Sequence, residues 1–307
     1  MTLDKLQKDM LMQIADLHKL PEGAYNLRQD GKGVARSTTA NIDIVPKEDK
    51  PGIDIIIKPG TKNESVHIPV ILSESGIKDV VYNDFYIGED ADVVIVAGCG
   101  IHNCGTELSQ HDGIHSFHVG KNARVRYVEK HYGDGDGMGG RVLNPTTVID
   151  VEEGGYLEME TTQIKGVDST VRDTRATLAD KATLIIKEKI MTHGEQLAKT
   201  DFTVELNGED CSANVVSRSV ARDSSRQEFV SRICGNNRCA GHTECDAIIM
   251  DKAFVMARPE LSANHVDASL IHEAAIGKIA GEQLIKLMTL GLTEAEAEEQ
   301  IVAGFLK

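Results

Sequence analysis

The sequence predicts a mainly β protein, a β-solenoid with a short N-terminal helical segment and a C-terminal α-helical hairpin. Three observations carry this. From about Asn41 apolar and polar residues alternate, as in Ile42/Ile44, Ile53/Ile55/Ile57 and Val66/Ile68/Val70, the period of a half-buried strand. From Glu89 to about Val220 a unit recurs at roughly 30 residues, the spacing of stacked supersecondary elements. Aromatic residues are 4% of the chain, tryptophan is absent and there are 28 glycines. A core of Val, Ile, Leu and Ala with frequent turns suits short stacked strands. Helical patterns do not alternate with the strands, which argues against a doubly wound α/β sheet. A β-sandwich is the alternative that the pattern leaves open.

Residues 1–40 are read as the helical segment. Leu3, Leu6, Met10, Ile14 and Leu17 recur at three and four residues, and Pro21 and Gly23 end the run. Residues 41–278 are the solenoid core. Its recurring unit is a charged or glycine turn, a small residue, then an alternating strand. The instances are Glu89–Val93, Lys121–Val125, Glu152–Leu157, Asp180–Leu184 and Cys211–Val215. Residues 279–307 turn helical. Leu284, Ile285, Leu287 and Met288 lie in a run from Glu282 to Leu290, and Gly291 stands where a left-handed C-terminal residue belongs. Thr293 and Glu296 form a capping-box pattern that opens a second helix from Glu294 to about Ala303. Such a hairpin is a natural docking surface for a partner.

The formal net charge is −15, which repels polyanions and argues against nucleic acid as a partner. No basic run offers a patch for an anionic membrane. The longest apolar stretches, such as Val93–Ala97, fall far short of the ~20 residues of a transmembrane helix. The first twenty residues lack an apolar signal-peptide core. The six cysteines are therefore expected to be reduced and the protein cytoplasmic. No C-x-x-C pair supports a zinc ribbon or a redox motif.

Gly135-Asp-Gly137-Met-Gly139-Gly140 matches G-x-G-x-x-G, but Pro145 argues against a helix opening there, so a loop is expected. There is no P-loop motif for ATP hydrolysis, and His272-Glu273 is not followed by the second histidine of a zinc protease. Two clusters carry soft ligands. The first is Cys99, His102, Cys104, His111, His115 and His118, in which Cys99 and Cys104 could bind metal. The second runs from Cys234 to Glu273 and includes Cys239, His242, Glu244, Cys245, Asp246, His265 and His272. Thiolate binds iron strongly, and imidazole or carboxylate can complete a site. Buried cysteines acting as small hydrophobes, with histidines in solvent, are the competing account of both.

Gly241-His242-Thr243-Glu244-Cys245-Asp246 and Leu270-Ile271-His272-Glu273-Ala274-Ala275-Ile276-Gly277-Lys278 resemble C-terminal segments of the SufB/SufD family. Glu282-Gln283-Leu284, Gly291-Leu292-Thr293 and Gly304-Phe305-Leu306 match its closing pattern. Ala97-Gly98-Cys99, Gln110–Gly113 and Tyr127–Gly133 are similar to its middle section. The resemblance covers roughly residues 80–307; the long N-terminal region of SufB has no counterpart.

It implies a right-handed parallel β-helix that dimerises through its C-terminal part and binds a SufC-type ABC ATPase through its C-terminal helices. A transient, labile iron–sulfur cluster is built or held at the dimer interface. By this resemblance Cys245 is a cluster ligand, His272 and Glu273 are ligands with Glu244 nearby, and Cys99 stands where sulfur from a donor protein enters an internal tunnel. Leu290 replaces the family's usual arginine. Because the chain carries both Cys245 and His272-Glu273, a homodimer could supply both kinds of ligand; a SufB/SufD-type heterodimer is the other arrangement. The expected role is a scaffold, not an enzyme. A SufD-like structural subunit that binds the ATPase without nucleating a cluster, and a β-helix enzyme acting on acidic polysaccharide, are the rival readings.

Overall fold

Alternating side chains along each strand bury one face and wet the other, and in this chain the buried faces close on each other. The computed structural model describes residues 4–307. Leu3, placed in the first helix by the sequence, lies outside them. Helix α1 (Lys5–Ala15) is followed by β1 (Ala24–Gln29), β2 (Lys32–Ser37), β3 (Ile42–Pro46), β4 (Gly52–Ile57), β5 (Lys62–Leu72), β6 (Lys78–Ile87) and β7 (Asp92–His102). Then come β8 (Ser109–Val119), β9 (Arg124–Asp134), β10 (Arg141–Leu143), β11 (Thr146–Val151), β12 (Tyr156–Lys165), β13 (Ser169–Leu178) and β14 (Thr183–Thr192). The last strands are β15 (Leu197–Leu206), β16 (Cys211–Ala221), β17 (Arg226–Gly235), β18 (Cys239–Ile249), β19 (Phe254–Ala263) and β20 (Ala268–Gly277), before α2 (Gly281–Thr289) and α3 (Glu294–Phe305).

The strands form two ten-stranded sheets. One runs β2-β1-β5-β7-β9-β12-β14-β16-β18-β20. The other runs from β19 through β17, β15, β13, β8, β6 and β4 to β3, with β10 and β11 sharing one strand position between β8 and β13. Pro145, which has no N–H for a ladder, stands in the break between those two short strands. Pairing is parallel except in the hairpins β1–β2 and β3–β4, so the molecule is a β-solenoid in which each coil adds one strand to each sheet.

The turn unit read from the sequence has a physical basis. Asp90, Asn122, Gly154, Lys181 and Asp210 all have φ between 53° and 67°. Each donates its N–H to a carbonyl of the next coil, at 2.8–3.0 Å. The residue after each, Ala91, Ala123, Gly155, Ala182 or Cys211, stands just before or at the start of the next strand, and each is small and buried. The last instance therefore begins at Glu209, two residues before the sequence placed it. Cys211 and Cys239 take the buried small-residue position.

Residues 24–37, read as part of the helical segment, form the β1–β2 hairpin instead. Asp30 and Gly31 both adopt positive φ, the Asp-Gly signature of a tight hairpin turn. Helix α1 buries Met10, Leu11 and Ile14 against the solenoid. Gly98 seats it, since a Cβ there would lie 2.3 Å from the Ile14 carbonyl oxygen. At the far end Thr293 and Glu296 make the expected capping box, and α3 packs Val302 and Leu306 on Val220. Gly291, at φ +99°, makes the turn between α2 and α3. No helix among the described residues is long and apolar enough to cross a membrane.

Candidate functional site

Parallel register aligns residues of successive coils into columns inside the solenoid. One column of the first sheet reads Glu129, Thr161, Glu188, Ser217, Cys245, Ala274. Its polar members are buried, and all but Thr161 have hydrogen-bond partners. Tyr127 donates its hydroxyl to Glu129 at 2.9 Å, Arg172 reaches Glu129 at 2.9 Å, and Ser217 donates to Glu188 at 2.8 Å. A buried polar strip thus leads from the middle of the solenoid toward Cys245. Arg172 and His131 hold the Glu129 carboxyl well below the usual range despite its burial. Burial pushes Glu188 up, against the pull of the more distant Arg172.

Cys245 is 1% exposed and belongs to the main apolar core. Burial, then the nearby Glu188 and Asp246, push its thiol up to about 12. Thr243 and His272 are register partners, as are Cys245 and Ala274, so His272 lies on the inward face of β20 opposite Thr243, two residues before the position opposite Cys245. Its Nδ1 is buried without a hydrogen-bond partner. Glu273, next in sequence, must point to the opposite face. There it pairs in register with Glu244. The four residues proposed from the resemblance therefore do not converge on one point. Cys245 and His272 lie inside; Glu244 and Glu273 lie outside.

The outer pair gains a third member that the resemblance did not supply. His242, Glu244 and Glu273 bring one ligand atom each within 4.8 Å of one another. His242 donates from Nδ1 to Asn214 Oδ1 at 2.9 Å, which leaves Nε2, 3.8 Å from Glu273, free to bind a cation. Two carboxylates and an imidazole suit a divalent first-row metal.

The first soft-ligand cluster is divided. Cys99 is 5% exposed and faces a cavity of about 10 Å³ lined by His111, His115, Glu129 and His131. Burial, with Glu129 and Asp79, raises its thiol well above the ordinary value. Cys104 is exposed in the turn after β7, and His118 stacks on Tyr86 at the surface. Cys99 and Cys104 do not share a metal site. The sequence reading missed Glu129, Arg172 and Glu188 altogether. Their signal was a charged residue on the inward parity of an alternating strand, as with Glu188 two places after Ile186.

These buried groups set the pH limits of the fold. The Cys211 thiol is raised to about 11 and Cys245 to about 12, from 9.0. The stability they contribute is complete below pH 9 and is lost as pH climbs toward 11–12. His115 is lowered by burial to about 4, from 6.5. Its contribution is complete above pH 6.5 and fades as pH falls toward 4. The urea midpoint is expected to hold level from about pH 7 to 8.5 and fall on both sides, with Cys245→Ala showing the shallower alkaline fall. An unchanged alkaline slope in that variant would put the raised thiol elsewhere.

The last coils of the parallel solenoid thus carry a thiol and an imidazole on the inner face and a His–Glu–Glu set on the outer face. Residues 80–305 match the family model described as SUF system FeS cluster assembly, SufBD core domain. An iron-sulfur cluster assembly SufBD family protein from Methanocaldococcus jannaschii is 31% identical over 256 residues, 82% of this chain and 79% of that protein. One from Archaeoglobus fulgidus is 31% identical over 85% of this chain and 69% of its own length. One from Pyrococcus horikoshii is 28% identical over 76% and 71%. The chain belongs to the SufBD family of iron–sulfur cluster assembly proteins.

Proposed function

We propose that the chain is a scaffold subunit on which iron and sulfide are brought together at the open, C-terminal end of the solenoid. The observation that carries this reading is the convergence of His242, Glu244 and Glu273 on the outer face of the strands whose inner face holds Cys245 and His272. Iron(II), as substrate, is held by His242 Nε2 and the two carboxylates. Nitrogen and oxygen ligands release iron more readily than four thiolates, which suits a scaffold that must hand its product on. Cys245 lies one strand inside the edge, so a displacement of β20 uncovers it for the nascent cluster. We assign that displacement to a SufC-type ABC ATPase docked on α2 and α3, which follow β20 after three residues. The partner across the open end is a second copy or a SufB/SufD-type relative, in the cytoplasm, and the chain itself performs no catalysis.

The test is anaerobic co-purification with a SufC-type ATPase, then reconstitution with iron and sulfide. His242→Ala and Glu273→Ala are expected to bind iron about tenfold more weakly or worse. Cys245→Ala is expected to lose iron and sulfide retention, and Cys211→Ala to keep it. Equal retention in all four variants would remove this end of the solenoid from the reaction. A SufD-like structural role is the second reading, favoured by the burial of the Cys245 thiol. A colourless wild-type complex with the ATPase intact would establish it instead.

A further inference from the structure

The loop that matched G-x-G-x-x-G has a use unrelated to phosphate. Gly135, Gly137 and Gly139 press against the turn 103–107: a Cβ on Gly137 would lie 2.3 Å from the Gly105 carbonyl oxygen, and one on Gly139 2.1 Å from that of Glu107. Gly137 and Gly139 donate their N–H groups to the carbonyls of Asn103 and Gly105, at 3.1 and 2.9 Å. Asn103 locks the turn from within, donating from Nδ2 to the Glu107 carbonyl at 2.9 Å. This backbone-on-backbone packing holds one side chain outward on a rigid corner. That side chain is Cys104, the only exposed cysteine of the six.

Cys104 is not alone there. Its Sγ lies 3.1 Å from His102 Nε2, and His102 Nδ1 lies 3.9 Å from the Asp134 carboxylate. A thiol with a base in hydrogen-bond contact is the pairing that activates cysteine nucleophiles. His102 Nε2 is the ring nitrogen that faces the thiol. His102 comes from the end of β7 and Asp134 from the end of β9, adjacent strands that pair these two residues in register. Leu108 and Met138, the latter 88% exposed, flank the corner with apolar surface. Cys99, where the resemblance places incoming sulfur, is enclosed by comparison.

We propose that Cys104, with His102 as its base, is the surface thiol that accepts sulfane sulfur from a persulfide donor; this rests on the assembly reading above. His102 Nε2 takes the Cys104 proton, and the thiolate attacks the outer sulfur of the donor R–S–SH. The donor S–S bond breaks as the Cys104 Sγ–S bond forms. The electron pair leaves on R–S⁻, which recovers the proton from His102. The products are Cys104–S–SH and R–SH, with no net oxidation and no co-reactant.

The test uses the full chain with two probes, glutathione persulfide and a cysteine desulfurase charged with cysteine, and locates the added sulfur by peptide mass. Both probes are expected to load Cys104 first, and Cys104→Ser to remove that early label. His102→Asn is expected to slow loading of Cys104 about tenfold at neutral pH, with the gap closing in alkaline solution, where hydroxide can take the thiol proton in place of the base. Met138→Lys is expected to slow the desulfurase and not glutathione persulfide, which would identify a protein as the donor. Label appearing first on Cys99 would overturn the proposal, as would a His102→Asn pH profile identical to wild type. The readout needs neither iron nor ATPase. Intact Cys104 loading with no iron or sulfide retained would therefore sink the scaffold reading alone.

Discussion

Arg172→Met is expected to destabilise the fold by about 3–5 kcal/mol, the cost of leaving buried charge without its partner. Arg172 is enclosed between two carboxylates that come from the other sheet, Glu129 at 2.9 Å and Glu188 at 3.7 Å. Glu129 otherwise has only the Tyr127 hydroxyl and the His131 imidazole, the latter at 3.5 Å, and Glu188 only the Ser217 and Thr200 hydroxyls. Methionine fills the volume but supplies no charge, so Glu129 then rises above its unfolded value and Glu188, already raised, rises further. A carboxyl raised in the folded state costs stability above its unfolded value near pH 4.5 and ceases to do so below it. The variant should therefore recover relative to wild type as pH drops toward 4. The native Glu129 behaves in the opposite sense: its lowered carboxyl stabilises above that pH and loses its contribution as pH falls. Urea unfolding at pH 7 and pH 4.5 separates the two. A loss under about 1 kcal/mol at pH 7 would mean that water reaches the pair, contrary to its burial.

The elements that the sequence made legible are those whose cause is local. The Thr293–Glu296 capping box and the turns at Asp90 and Asn122 each depend on a few adjacent residues, and each stands where it was placed. The Asp30-Gly31 hairpin was equally local, but it lies beyond the break at Pro21 and Gly23 and was grouped with the helical segment. The site was harder because it depends on register between coils. From Glu129 the inward column advances to Thr161, Glu188, Ser217, Cys245 and Ala274. Those steps are unequal because the turns differ in length, so no fixed period reveals the column. What could have been read is the parity of neighbours: His272 and Glu273, adjacent on a strand, cannot face the same ligand. Recognition of the chemistry-bearing residues came from motif resemblance, and their division into two faces came only from the paired strands.

Leu261→Asp combined with Ile276→Asp is expected to raise the dissociation constant for association through the last coil by about 100-fold or more, a combined hot-spot cost of about 2.8 kcal/mol or greater. Strands β19 and β20 end their sheets, so each presents an unpaired ladder of N–H and C=O groups. An open parallel edge of this length is a template for another chain unless something covers it. The solenoid core is also exposed there. Leu261 is 37% and Ile276 41% exposed, on strand positions that continue the buried Ile233 and Ala247 of the preceding coil. The α2–α3 hairpin does not serve as the cover, because α3 packs on Val220 at the flank of the solenoid. Both substituted side chains are already accessible in the single chain, so the unfolding free energy of the monomer should change by less than about 0.5 kcal/mol. Sedimentation equilibrium of the chain, alone and with a SufC-type ATPase, reads the association directly. A wild type that stays monomeric at tens of micromolar in both conditions, with its edge strands exchanging amide hydrogens freely, would show that these edges meet neither a second copy nor that partner complex.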